Sequence, residues 1–341
     1  MKKYLIVASI VLLGFVSSAN ALTGAGVAIN NTATLSYSVG ALPQSDINAS
    51  DAGFVVDRKI DIIVASTDPA KTVNTTPSSS EVVLTFQVAN SGNDDETFNF
   101  STADISGGDD FNPNSCLIYD NAAPLTAITS LPITAETNVT ILVKCDMPPA
   151  LPAVGGISDG DNGTIVLTAA IDAATRPNHT ADADIAATIQ NVYADGAGAD
   201  GDTANNGAHA DQGTYHIVSP DISMVKSSIV ISDPVNTAAG GTTPHRIPGA
   251  TVRYCFTVDN NGSADATSVN IVDDFTVGNK DSMTYVNSGF IAQSNALACD
   301  CAAVADTSGS FATPDVTIPV GTITSAPATA RICAYIEATI D

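Results

Sequence analysis

LTFQVANSG, residues Leu84 to Gly92, and YCFTVDNNG, residues Tyr254 to Gly262, decide the fold of this chain. In the first, Val82, Leu84, Phe86 and Val88 occupy every second position; in the second, Val252, Tyr254, Phe256 and Val258 do the same. A period of two is what a strand with one buried face requires, so each stretch reads as a half-buried strand. The two align without gaps and keep Phe86 with Phe256, Val88 with Val258, Asn90 with Asn260 and Gly92 with Gly262. Asn and Gly tolerate the positive φ of tight turns, so each strand ends in the same kind of turn. Upstream, Asp61-Ile62 and Asp68-Pro69 have counterparts in Asp221-Ile222 and Asp233-Pro234. One β-sandwich unit is therefore present twice.

Outward from these strands the same signals recur. Ile29, Ala33, Leu35, Tyr37 and Val39 alternate with polar residues, as do Val139, Ile141 and Val143, and Ser106-Gly107-Gly108-Asp109 marks a turn. Trp is absent and charged residues are only 14% of the chain. A mixture rich in Thr, Val, Ser, Asn and Gly disfavours helices. The expected class is all-β: two immunoglobulin-like β-sandwich units with extra flanking strands and an acidic Gly/Asp-rich linker. The first region spans 22–216, with its sandwich core at 54–150 and flanking strands and linker at 151–216; the second unit spans 217–341. Ala194 to Gly213 has almost nothing to bury and reads as a loop or linker. Leu22 to Ala52 and Thr164 to Tyr193 each contain strand-like pieces ahead of a unit, which makes the repeat a strand pair plus a sandwich. Sequence does not assign the partners of those pairs.

The N-terminus has a basic start (Lys2, Lys3), a short apolar run from Tyr4 to Val16, and Ala19-Asn20-Ala21. That pattern predicts a signal peptide over 1–21 and a mature chain from Leu22. No later run reaches the ~18 apolar residues of a membrane-spanning helix, so no membrane insertion of the mature chain is expected. The net charge is −24, which offers no footprint for nucleic acid and repels anionic lipid. The expected location is extracellular or at the cell surface, with the periplasm as the alternative. Six cysteines without a C-x-x-C pair then read as disulfides.

Ile247 to Phe275 reads IPGATVRYCFTVDNNGSADATSVNIVDDF, after SMVKSSIVISDPVN from Ser223 to Asn236. Lys226, Asp233-Pro234, Pro248-Gly249, the Tyr-x-Phe-x-Val strand, the Asn-x-Gly turn and Ile271-Val272-Asp273-Asp274 together resemble the repeat domain of prokaryotic surface and exported proteins known as domain of unknown function eleven. The resemblance covers about Ile217 to Asp341, and the first unit only in its core strand and turn. It implies an immunoglobulin-like building block of envelope proteins with no catalytic residues to carry over. The four cysteines of the second unit depart from the pattern.

Candidate chemistry is sparse. Gly156-Ile157-Ser158-Asp159-Gly160 matches G-x-S-x-G, but a strand and not a helix follows it. His179, His209, His216 and His245 stand singly, without zinc spacing. Calcium takes oxygen ligands from flexible acidic loops, which makes Asp200, Asp202 and Asn205 metal candidates, with Asp159-Gly160-Asp161-Asn162 a second loop of suitable side chains. Cys116 and Cys145 are the pair available to the first unit. Cys255 and Cys333 run out of phase with the core-facing Tyr254, Phe256, Ile332 and Ala334, so the Cys299-Asp300-Cys301 loop is expected to lie over the outer face and latch both strands. Cys299 or Cys301 to Cys333 echoes the first unit, and a direct Cys255 to Cys333 bridge stays open.

The leading expectation is a non-catalytic structural or adhesive protein whose partners are other envelope or extracellular proteins or copies of itself. Two alternatives accompany it: a filament subunit that donates the strand Val27 to Val39 to a neighbour's sheet edge, and an enzyme, either a serine hydrolase built around Ser158 or a calcium-dependent activity on polysaccharide.

Overall fold

A computed structural model describes residues 22–121, 126–237, 240–274 and 282–341. The expected signal peptide lies outside the described residues. The chain is all-β: its helical segments are single turns, and no helix among the described residues is long and apolar enough to cross a membrane.

The first sandwich uses β1 (Ile62–Ser66), β2 (Thr72–Thr75), β3 (Val82–Asn90), β4 (Glu96–Asp104), β5 (Asn114–Asp120), β6 (Ser130–Ile133), β7 (Thr137–Asp146), β8 (Asn162–Ile171) and β9 (Ala208–Ile217). One sheet runs β1-β3-β7-β5, the other β6-β4-β8-β9-β2. Leu84, Phe86 and Val88 of β3 and Ile141 and Val143 of β7 meet Phe98 of β4, Leu167 of β8 and Tyr215 of β9 in one core. Tyr215 is wholly buried, and its hydroxyl crosses the sandwich to donate to the carbonyl of Val82 at 3.1 Å. Each such side chain contributes about 1.5–3 kcal/mol by leaving water.

The structure departs from two expectations of the sequence. The sandwich does not end near residue 150: β8 and β9 sit in the middle of its second sheet, so the stretch 151–216 supplies core strands and not merely flanking ones. The linker reading of Ala194 to Gly213 fails from Ala208 onward for the same reason. The first half of β9 looks like a linker because it packs by closeness and not by bulk. A Cβ at Gly213 would fall 2.9 Å from the Leu84 side chain, and the buried carboxylate of Asp211 is paired with Lys71 at 2.6 Å. Part of the segment ahead of β9 also finds its partner: Asn191–Tyr193 pairs in parallel with Arg58–Ile60.

The second sandwich uses β10 (Ile222–Ser232), β11 (Thr251–Asn260), β12 (Ala266–Asp274), β13 (Met283–Gln293), β14 (Ser310–Ala312), β15 (Asp315–Ile323) and β16 (Arg331–Ile340). Its sheets run β10-β11-β16-β13 and β12-β15-β14. Phe256 and Val258 of β11 pack with Ile332, Ala334 and Ile336 of β16 against Ile271 of β12 and Val316 and Ile318 of β15. The alternation seen in the sequence is the one that builds this core.

Ahead of both sandwiches lies a two-stranded ribbon. Ala28–Ile29 pairs with Phe54–Val55, Thr32–Leu35 with Ile47–Ser50 and Ser38–Val39 with Leu42–Pro43, all antiparallel. The expected strand from Val27 to Val39 is thus half of a hairpin.

Candidate functional site

The repeated Asn-x-Gly is a buried hydrogen-bond junction. Asn90 Nδ2 donates to the carbonyls of Asp94 and Ile133, both at 2.9 Å, while its Oδ1 accepts from Gly92 N at 3.0 Å. Asn260 repeats this with Ala264 at 2.8 Å, Ile323 at 3.1 Å and Gly262 N at 3.1 Å. Each amide ties the end of its own sheet to the opposite one. The following residue closes the corner: Ser91 N donates to Asp61 O and Asn261 N to Asp221 O, both at 2.8 Å. The glycine is required for space, since a Cβ at Gly92 would lie 2.3 Å from Lys59 O and one at Gly262 2.2 Å from Ser219 O.

Between the sandwiches, the loop before β8 reaches the second unit. Asp159 accepts from Ser219 N at 2.7 Å and Ser263 N at 3.0 Å, and also from the Ser263 hydroxyl. A cleft of about 510 Å³ opens beside this clamp, lined by Leu151, Ile157, Ser158, Ser219, Pro220 and Asn261 among others. Ser158 is held by Asp161: its amide and hydroxyl both donate to that carboxylate, at 2.8 and 3.1 Å. Its backbone runs into β8, not into a helix.

The disulfides follow the strand order. Cys116–Cys145 joins the neighbouring β5 and β7. In the second unit the bridges are Cys255–Cys301 and Cys299–Cys333, so the C-x-C loop latches β11 and β16, as the strand phase implies. Cys255, Cys301, Cys333, Val304 and Tyr335 form a small cluster apart from the main core. Arg253 seals it: its guanidinium lies 4.0 Å from the centroid of the Tyr335 ring, binds Glu337 Oε2 at 2.6 Å and donates to Cys301 O at 2.7 Å. Sequence gave no signal for Arg253 in this role.

The calcium candidates do not converge. Asp200 turns to the amide and hydroxyl of Ser106. Asp202 accepts from Gly198 N at 3.0 Å, Thr203 N at 2.9 Å and Asn206 Nδ2 at 2.8 Å. Asn205 enters through its backbone, donating to Asp195 O. In the other acidic loop Asp159 and Asp161 serve different partners. Among the described residues no group of three or more His, Cys, Asp or Glu side chains is arranged to hold a metal ion. The histidines are dispersed: His179 meets Asp182, His216 meets Asn162, His209 meets the amide of Val64, and His245 donates its own amide to Asp233.

Lys226 is held between a carboxylate and two aromatic rings. Its ammonium lies 2.8 Å from Asp273 and 5.0 and 5.2 Å from the Tyr254 and Phe256 rings. It reaches from β10 to Asp273 of β12, so that it joins an edge strand of each sheet.

No family model matches this chain, and no curated protein does. Among solved structures, a chaperone–tip adhesin complex of CFA/I fimbriae biogenesis aligns at 10% identity and TM-score 0.25, over 64% of this chain and 74% of that one. A class 5 fimbriae chaperone aligns at 8% and 0.24, over 63% and 74%. The secreted serine protease VesC from Vibrio cholerae aligns at 8% and 0.23, over 83% and 50%. All three scores lie below 0.5.

Proposed function

We propose that this protein is a structural or adhesive component at the outer surface of the cell, built to hold surfaces in place for other envelope proteins or for copies of itself, and not to catalyse. The observation that carries this reading is the way the two repeats are tied: the Asp159 clamp joins them, and bridges staple each one internally. Disulfides at this density belong to an oxidising compartment, which is consistent with export. The resemblance of Ile247 to Phe275 to a surface-protein repeat points the same way.

Fractionation of native cells with antibody detection, followed by negative-stain imaging, tests this. The protein is expected in the envelope or extracellular fraction. Recovery from the cytoplasm with all six thiols reduced contradicts it. So does an esterase or peptidase activity that survives purification and disappears in Ser158→Ala. A second reading, the filament subunit, is favoured by the ribbon ahead of the first sandwich, whose apolar face is uncovered.

A further inference from the structure

Among the described residues the second sandwich lacks three strands of the first, β8, β9 and the β2 that pairs with β9, and carries an additional short strand, β14, beyond β15. In the first, β8 lies antiparallel along β4, from Phe98 opposite Ile171 to Asp104 opposite Ile165, and β9 lies beyond it. The equivalent of β4 is β12, which among the described strands pairs with β15 alone.

The repeat supplies its own control for what this leaves open. Ile62 and Val64 of β1 stand opposite Asn90 and Val88; Ile222 and Met224 of β10 stand opposite the equivalent Asn260 and Val258. Directly opposed residues share a face of the sheet, so all four point toward their core. Ile62 and Val64 are 0% and 2% exposed, whereas Ile222 and Met224 are 43% and 59% exposed. The difference is the missing strand pair.

The N-terminal ribbon has the form of that pair. Cross-strand bonds Thr32–Ser50, Thr34–Asn48 and Ser36–Asp46 make one face polar. The other carries Leu35, Val39, Leu42 and Ile47, each between 53% and 70% exposed. An isolated two-stranded hairpin is marginal in water, and one with an apolar face needs a cover. Its sequence aligns in part on that of β8 and β9. Asn30-Asn31-Thr32-Ala33-Thr34-Leu35 aligns on Asn162-Gly163-Thr164-Ile165-Val166-Leu167, which sets Ala33, Leu35, Tyr37 and Val39 on the buried Ile165, Leu167, Ala169 and Ile171. The return strand aligns without gaps into the next sandwich: Asp51, Gly53, Asp61 and Ile62 fall on Asp211, Gly213, Asp221 and Ile222. The pairing within the ribbon has its own register: Leu35 stands opposite Ile47 where the equivalent Leu167 stands opposite Asp211, so a ribbon seated with Leu35 in the place of Leu167 sets the apolar Ile47 in the place of Asp211.

We infer that the N-terminal ribbon of one copy inserts between β10 and β12 of a second copy and completes its sandwich, joining copies head to tail. The inference rests on the reading of the protein as a structural component and names its partner as another copy of this chain. The contact is heterologous, so it propagates into open chains. Since each copy is strongly acidic, association tightens as salt screens the repulsion.

The test is sedimentation velocity on the purified chain beginning at Leu22, with two variants that alter exposed residues. Leu35→Asp/Ile47→Asp spoils the ribbon, and Met224→Asp spoils the acceptor. The parent is expected to show concentration-dependent species above the dimer, and each variant alone to associate more than about tenfold more weakly. Mixed together, the variants should form a 1:1 dimer that grows no further, because one intact ribbon and one intact acceptor remain. Thermal melts matching the parent show that both variants fold; for one that does not, a synthetic Val27–Val56 peptide takes its place in the assay, competing with the parent's assembly. A parent that stays monomeric at all concentrations and salts, a mixture that forms no dimer, or a peptide that leaves assembly unchanged overturns the inference and leaves the groove to a different partner. Surface localisation of a monomeric protein sinks this inference while sparing the proposed function; cytoplasmic recovery of an assembling protein does the reverse.

Discussion

Replacing Asn260 with Ala removes a single side chain that the second sandwich cannot replace. Asn260 is 1% exposed and makes two donations, to Ala264 O and Ile323 O, while accepting from Gly262 N and from Asp221 N at 3.2 Å. The bonds to Ile323 and Gly262 are buried, so truncation strands a carbonyl and an amide out of reach of water. Each stranded group costs about 1–3 kcal/mol, and the two outer bonds add a fraction of that. The expected loss is about 3–5 kcal/mol, a large part of the ~5–15 kcal/mol that holds a domain. Asn260→Asp should rescue little, because a carboxylate keeps the acceptor but faces two carbonyls. The assay is urea unfolding followed by amide exchange and mass spectrometry, which reads each sandwich separately where a single two-state fit would not apply. Peptides from β11 and β16 should lose protection while β3 and β7 keep theirs, and Asn90→Ala should give the mirror image at similar size. A loss below about 1 kcal/mol in either variant would show that the corner is not what ties the sheets together.

Asp159→Ala removes three bonds across the junction, each contributing about 0.5–1.5 kcal/mol; limited proteolysis should cut Val218 to Asp221 faster, with unchanged melting of the first sandwich. Loss of the Cys299–Cys333 bridge, which closes a separation of 34 residues, as in Cys299→Ser/Cys333→Ser, should lower stability by about 4 kcal/mol, seen as a drop in Tm confined to the second unit. Burial alone would raise the pKa of Asp233, but hydrogen bonds from His245 N, the side chain and amide of Asn236 and Val235 N hold the carboxyl far below the usual carboxylate range. A group depressed on folding stabilises fully above its unfolded value of about 3.9 and loses that contribution as pH falls through the folded one. Exchange protection at Val235 and Asn236 should therefore persist at pH 4 and fade only in stronger acid, and Asp233→Asn should abolish this pH dependence.

The strands with a bulky alternating face were legible in the sequence: Leu84, Phe86 and Val88 and their counterparts Tyr254, Phe256 and Val258 point inward as their spacing demands. The phase of Cys255 and Cys333 placed both on the outer face, yet it left open which of Cys299 and Cys301 each one meets, because two residues of one tight loop lie within reach of both. The first half of β9 reads as a linker because it brings Gly213 and the paired Asp211 to the interior, whereas its bulky core residues Tyr215 and Ile217 lie beyond that stretch. The return strand of the ribbon was hidden by Pro43, Asn48 and Asp51, which interrupt any apolar pattern. Its partner strand from Ile29 to Val39 carries the full alternation and was visible. The acids of Asp159, Asp200 and Asp202 read as metal ligands by type alone; their real partners, the hydroxyls and amides of Ser263, Ser106 and Gly198, are set by tertiary contacts that spacing does not encode.

Amide exchange measured at low and high protein concentration tests most directly whether this chain carries the two halves of one split sandwich. Strand pairing should raise protection together at Thr32 to Val39 and at Val269 to Val272, while β3, β7 and β8 stay as they were. Unchanged exchange at both segments across the concentration range, or protection gained at the ribbon without any at Val269 to Val272, contradicts it.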